Sequence, residues 1–241
     1  MFAETQQKFI NDFIVDERWR FITDGLKTTI IVTLLALIVG LILGAVIAII
    51  RTAHDQLRDE NKSGIGRMIL GIANAICRVY LTIIRGTPTL VQLLIMYYVI
   101  LTSPTIDKVT VAVACFGINS GAYVAEIFRS GIMSVDPGQM EAGRSLGLGY
   151  FQTMMSIIMP QAIKNCLPSL VNENITLLKE TSICGYIGLN ELTRGGDIIR
   201  GTTFDALLPL FVVALIYLVI VMFFTFIMSI LERRLRESDI R

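Results

Sequence analysis

The chain has 241 residues, 54% of them hydrophobic, and a mean hydropathy of +0.66. Its 21 Lys and Arg against 20 Asp and Glu leave a net charge of +1, which carries no signal for a nucleic-acid partner. Apolar runs this long and uncharged exclude a soluble domain and point to an all-α integral membrane protein.

Residues 1–25 are polar with interleaved aromatics, Phe2, Phe9, Phe13, Trp19 and Phe21. They lack the basic start, apolar centre and cleavage site of a removable signal peptide, so they read as an extracytoplasmic interfacial segment with its aromatics at headgroup level. A first span follows over residues 26–50, longer than the ~20 apolar residues a crossing needs. Within it Gly40 and Gly44 form a G-x-x-x-G pair that would let another helix approach closely. Arg51, Arg58, Lys62 and Arg67 come next, a cytoplasmic signature, with His54 among them read as a solvated loop residue.

Residues 65–84 are amphipathic, with Arg67, Arg78 and Arg85 along them, and read as a helix at the inner surface that turns up into the membrane. Arg85, Gly86, Thr87 and Pro88 mark the turn, and residues 89–101 complete a second span. A third runs over 109–127. On it Asn119, Tyr123 and Glu126 recur every three or four residues and share a face. A carboxylate in a span faces the bundle interior or water, so Glu126 either lines a pathway or pairs with Arg129. The last clear span is 207–230. Basic residues at 233, 234 and 236 then place the tail, 232–241, in the cytoplasm.

An outside start and an inside end require an odd number of crossings, yet only four are plain. A fifth must lie between Pro160 and Gly201. At 100° per residue Asn165, Ser169, Asn172, Glu173, Thr176, Lys179 and Glu180 fall within an arc of about 120°. Leu167, Leu170, Val171, Ile175, Leu177 and Leu178 fall outside it. Such a helix crosses only with its polar stripe turned inward. Lys179 with Glu173 or Glu180 reads as an ion-pair network, and Asn172 and Glu173 as pathway. Asn174 lies off the stripe and has no account at this level.

Between the third span and this helix lies a polar, glycine-bearing loop, about residues 135–160. Asp136-Pro137-Gly138 reads as a helix start, Glu141 sits in the first turn, and Gly147 and Gly149 end a short helix. A second helix carries Ile157 before Pro160. Glu141, Ala142, Gly143, Gly147, Ile157 and Pro160 resemble the EAA loop of ABC-importer permeases, with Gly143 in place of the third small residue and Met159 in place of leucine. In that family the loop is the coupling helix that docks on an ATP-binding subunit. Arg85, Gly86, Thr87 and Pro88, followed by Leu90-Val91-Gln92-Leu93, resemble the polar amino-acid subfamily. So do residues 119–132 and the strings from Asn172 to Arg194. The resemblance covers most of the chain from Leu26 onward.

The resemblance implies a type I ABC importer permease fold of five transmembrane helices in a bacterial-type cell membrane, with the permease domain at 26–231. Implied partners are ABC ATP-binding subunits, an external substrate-binding protein, a second permease copy, the lipid bilayer and an amino-acid substrate, with no nucleic acid. Candidate pathway residues are Glu126, Asn172, Glu173, Thr176, Tyr123 and Asn119. No catalytic or metal site is expected. No G-x-x-x-x-G-K-[ST] loop occurs in the sequence, so ATP and Mg are expected in the partner ATPase rather than bound here. Cys77, Cys115, Cys166 and Cys184 show no C-x-x-C pairing and read as small core residues. The rival reading is a stand-alone ion-coupled secondary transporter built around Glu126 and Glu173.

Overall fold

The computed structural model describes residues 2–59 and 64–239, with side chains at 6–55 and 64–230. The basic tail side chains, Arg58 and Lys62 lie outside those described. Among the described residues every regular element is helical. In chain order these are α1 (Phe2–Phe9), α2 (Trp19–Asp59), α3 (Ile65–Gly86), α4 (Thr89–Ile95), α5 (Lys108–Met133), α6 (Pro137–Ser145), α7 (Tyr150–Thr153), α8 (Met159–Glu180), α9 (Leu192–Thr203) and α10 (Leu207–Asp239). Short π or 3-10 turns adjoin α1, α4, α7 and α8.

Among the described residues four helices are long and apolar enough to cross a membrane: Trp19–Asp55, Ile65–Gly86, Lys108–Met133 and Leu207–Ile230. The second of these differs from the sequence expectation. α3 is one unbroken 22-residue helix, and Thr89–Ile100 is the shorter apolar piece. Its arginines suggested a surface helix, but they interrupt a run whose average stays apolar. The break after α3 has a local cause. Pro88 has no N–H to give and forces Thr87 into an extended conformation (φ −123°, ψ 148°). α2 also exceeds its predicted bounds, because nothing in residues 19–25 or 51–59 stops a helix. His54 therefore sits on α2 rather than in a loop, and its ring lies 3.2 Å from the amide of buried Asn74 on α3.

The chain divides into two compact units. The first comprises residues 1–37, 88–116 and 174–227. One cluster in it gathers Val32, Leu93, Phe116, Leu177 and Cys184, each at most 2% exposed. A second gathers Phe13, Ile22, Leu192, Ile199 and Val213. Phe13 is thus a core residue, while Phe9, Trp19 and Phe21 are exposed. Glycines let backbones meet here. A Cβ at Gly195 would lie 2.3 Å from the Phe21 carbonyl oxygen, and one at Gly25 2.7 Å from that of Glu191.

The second unit comprises residues 38–87, 117–173 and 228–241. Its core sets Ile47 against Cys77, Leu81, Ala122 and Ala125, and a satellite of Val135, Ile158 and Ala162 supports α6. The G-x-x-x-G pair of α2 packs on α5. Cβ atoms at Gly40 and Gly44 would fall 3.0 Å from Ser120 Oγ and 2.5 Å from Val124 Cγ1. All four cysteines are free and buried. Cys166 fits against Gly131, where a Cβ would stand 2.0 Å from its sulfur.

Candidate functional site

Helix α6 is short, exposed and closed at both ends. Asp136 caps its start, its carboxylate accepting the Gly138 N–H at 2.8 Å, and Pro137 occupies the first turn. At its end the Leu148 N–H donates to the Gly143 carbonyl at 3.2 Å and the Gly147 N–H to the Arg144 carbonyl at 3.0 Å. These are the two bonds of a Schellman stop, and they need a left-handed residue at Gly147, where φ is +83°. Arg144 in the last turn complements the helix dipole.

Gly143 is the one buried residue of α6. A Cβ there would lie 2.5 Å from Thr153 Cγ2 and 3.3 Å from Ile157 Cδ1. The glycine that departs from the E-A-A pattern is therefore the point where α6 rests on the segment that follows it. Glu141 and Ala142 face outward. Leu146, 80% exposed, and Phe151, 71% exposed, add an apolar surface beside them. Ile157 packs with Val135, Ile158 and Ala162, holding the knob to α5 and α8. Pro160 directly follows a π-turn over Met154–Ile158 and does not end the helical run, which continues to Glu180.

The polar residues of α5 and α8 fall into two groups. Glu126 accepts a short hydrogen bond from Arg51 Nη1 and one from Arg129 Nε at 3.3 Å, and Arg85 Nη1 stands 4.0 Å away. The guanidinium of Arg85 also lies over the Tyr123 ring, 5.6 Å from its centroid. Of the two readings of Glu126, the structure supplies the ion pair, with Arg51 added to the expected Arg129. Arg51 went unrecognised because 75 residues separate it from Glu126, and its place after an apolar run marked it only as a topology signal.

The second group centres on Glu173, which accepts the Ser120 hydroxyl at 2.8 Å. Asn119, next to Ser120, is buried. Along α8, Asn165, Ser169, Asn172, Thr176 and Lys179 of the predicted stripe are exposed, while Glu173 and Glu180 are half-buried. Lys179 stands exposed near the end of that helix. Asn174, off the stripe, is buried, and its Oδ1 has no hydrogen-bond partner among the described residues. Of the Arg85–Gln92 string, Gly86, Thr87 and Pro88 form the break after α3, and Gln92 is half-buried on α4.

Glu191 is a further organising residue that the sequence reading quoted only within a family string. It is 1% exposed and caps α9, accepting the Thr193 and Arg194 N–H groups at 2.7 Å each. A carboxylate just ahead of an amphipathic run is the signal that would have found it.

Comparison with known proteins follows the same lines. The arginine transport system permease protein ArtQ of Bacillus subtilis is 38% identical, covering 91% of this chain and 94% of its own length. The glutamine transport system permease protein GlnP of Escherichia coli K12 is 37% identical, over 88% and 92%. Among solved structures, an amino acid ABC transporter crystallised with histidines aligns at a TM-score of 0.79 and 39% identity, over 91% of this chain and 96% of that one. The MetNI methionine ABC transporter, inward facing, aligns at 0.70 with 16% identity over 90% and 97%, and so shares the fold. These matches favour a component of an ABC system over a stand-alone ion-coupled transporter. Residues 63–237 match the family model described as binding-protein-dependent transport system inner membrane component, and it is to this family that the chain belongs.

Proposed function

We propose that the protein is the permease subunit of an ATP-driven importer that moves a polar amino acid across a bacterial-type cytoplasmic membrane. Five helices cross: α2, the α3–α4 pair taken as one traverse, α5, α8 and α10, with the N-terminus outside and the C-terminus in the cytoplasm. An external substrate-binding protein delivers the substrate, and two permease copies enclose the route. Its lining is the open face of α8, with Asn172, Glu173 and Thr176, together with Tyr123 of α5. Asn119 is buried next to Ser120, and Glu126 is held among arginines. Carboxylate and amide groups suit the ammonium common to all amino acids, and the named relatives carry arginine or glutamine.

Hydrolysis of ATP, with its Mg, takes place in partner ATP-binding subunits that grip α6. The observation that carries this reading is α6 itself. A helix capped at both ends, resting on Thr153 and Ile157 and exposing Glu141, Ala142 and the adjoining Leu146, has a fixed shape and an outer side left open by the described residues. Tagged protein purified from detergent-solubilised membranes should bring down an ATPase, and Glu141→Lys should lose it with an unchanged unfolding temperature. Folded wild-type protein that brings down no ATPase would overturn the assignment.

A further inference from the structure

Helix α3 has two unlike faces. Ile69, Ile72, Ile76, Val79 and Ile83 recur at helical spacing and are each more than half exposed, forming an apolar stripe. On another face Arg78 and Arg85, two turns apart, line a cleft of about 460 Å³ with Arg51 of α2 and Glu126 of α5. Arg129 reaches the same carboxylate from α5. Arg51, Arg85 and Arg129 thus approach one carboxylate and Arg78 lines the same cleft, an excess of three positive charges among the described residues. Arg51, Arg85 and Arg129 share Glu126, whereas the Arg78 guanidinium pairs with no group among the described residues.

The position of this excess matters. Arg51 directly follows the apolar run 26–50, so the cluster stands where hydrocarbon gives way to water. Unmatched charge at that level is expensive unless an anion meets it. Guanidinium groups match phosphate oxygens in pairs, and basic pockets between transmembrane helices accept lipid headgroups. We propose that the cleft binds the phosphate of an anionic phospholipid, whose acyl chains run along the apolar stripe of α3. Charge complementarity and the adjoining stripe select this occupant. The inference requires only that α2 crosses a membrane with Arg51 at its boundary and that α3 packs against it there, and it is independent of which amino acid is carried.

The test is native mass spectrometry of the full chain in non-ionic detergent, titrated with phosphatidylglycerol and with phosphatidylcholine of the same acyl chains. Phosphatidylglycerol adducts should persist at lower lipid concentration. Arg78→Ala should weaken them about fivefold, Arg78→Lys should keep most of the binding, and Arg20→Ala should change nothing. Because the Arg78 guanidinium pairs with no group among the described residues, Arg78→Ala should unfold at the wild-type temperature. Equal retention of the two lipids, or full phosphatidylglycerol binding by Arg78→Ala, would overturn the site. Displacement of the lipid by millimolar inorganic phosphate or glycerol 3-phosphate would assign the cleft to a free phosphate and overturn the lipid.

Discussion

Asp12 has a side chain 3% exposed to solvent, and its Oδ2 has no hydrogen-bond partner among the described residues. Burial pushes its carboxyl above the usual range and the nearby Asp205 pushes the same way, while the Thr203 hydroxyl, Arg18 and Lys8 oppose them. Such a group holds its proton more tightly folded than unfolded. Its favourable contribution is therefore complete below the unfolded value and is lost as pH rises through the folded one. Thermal unfolding in detergent should show wild-type protein losing more stability between pH 4 and 7 than Asp12→Asn does. Parallel curves would mean that Asp12 titrates as an ordinary surface carboxylate. Asp107 is the opposite case: hydrogen bonds from Thr110 hold its carboxyl below the usual range at the start of α5. Asp12 could not be singled out in the sequence. It sits in a polar stretch, and only the packing of Phe13 into the core draws it inward.

Pairs of helices were legible in part. The spacing of Gly40 and Gly44 announced a close approach, and the structure supplies α5 as the partner. A G-x-x-x-G pair names its own face but not what lies against it, because the partner's requirement is only to be small at Ser120 and to accommodate at Val124. Gly44→Val should lower stability by about 1–3 kcal/mol through overpacking, since its Cβ would also lie 2.9 Å from the Ala125 nitrogen. Gly66→Ala, where a Cβ meets nothing within 4 Å, should be neutral or better. Urea or thermal unfolding of the two variants checks this, and an unchanged Gly44→Val would remove the close contact. The stripe on α8 was readable because a helical wheel needs only one helix. The Glu126 cluster was not, because three helices contribute to it and no single period records them.

For the whole molecule, charge bias and parity carried the sequence argument to five crossings, while hydropathy alone identifies four candidate helices and leaves α8 out. The difference is physical. A segment that carries a polar stripe along one side scores poorly as an isolated span, and α3 scores well despite Arg78 and Arg85 because an average ignores where charges point. The proposed five crossings would put the two ends on opposite sides. Gln6→Cys should react with a membrane-impermeant maleimide in intact spheroplasts, and Ser238→Cys only after permeabilisation, the native cysteines being buried. Labelling of both ends from one side would require an even number of crossings and a different architecture.

The two caps of α6 carry one more implication. A helix that ends in open chain can absorb a push by fraying a turn or winding on another, so force applied at one end dissipates along it. Nine residues pinned by Asp136 at one end and by the left-handed Gly147 at the other have no spare turn to give or take. Whatever grips this helix moves it as a rigid peg, and the displacement passes undiminished to Thr153 and Ile157 beneath it.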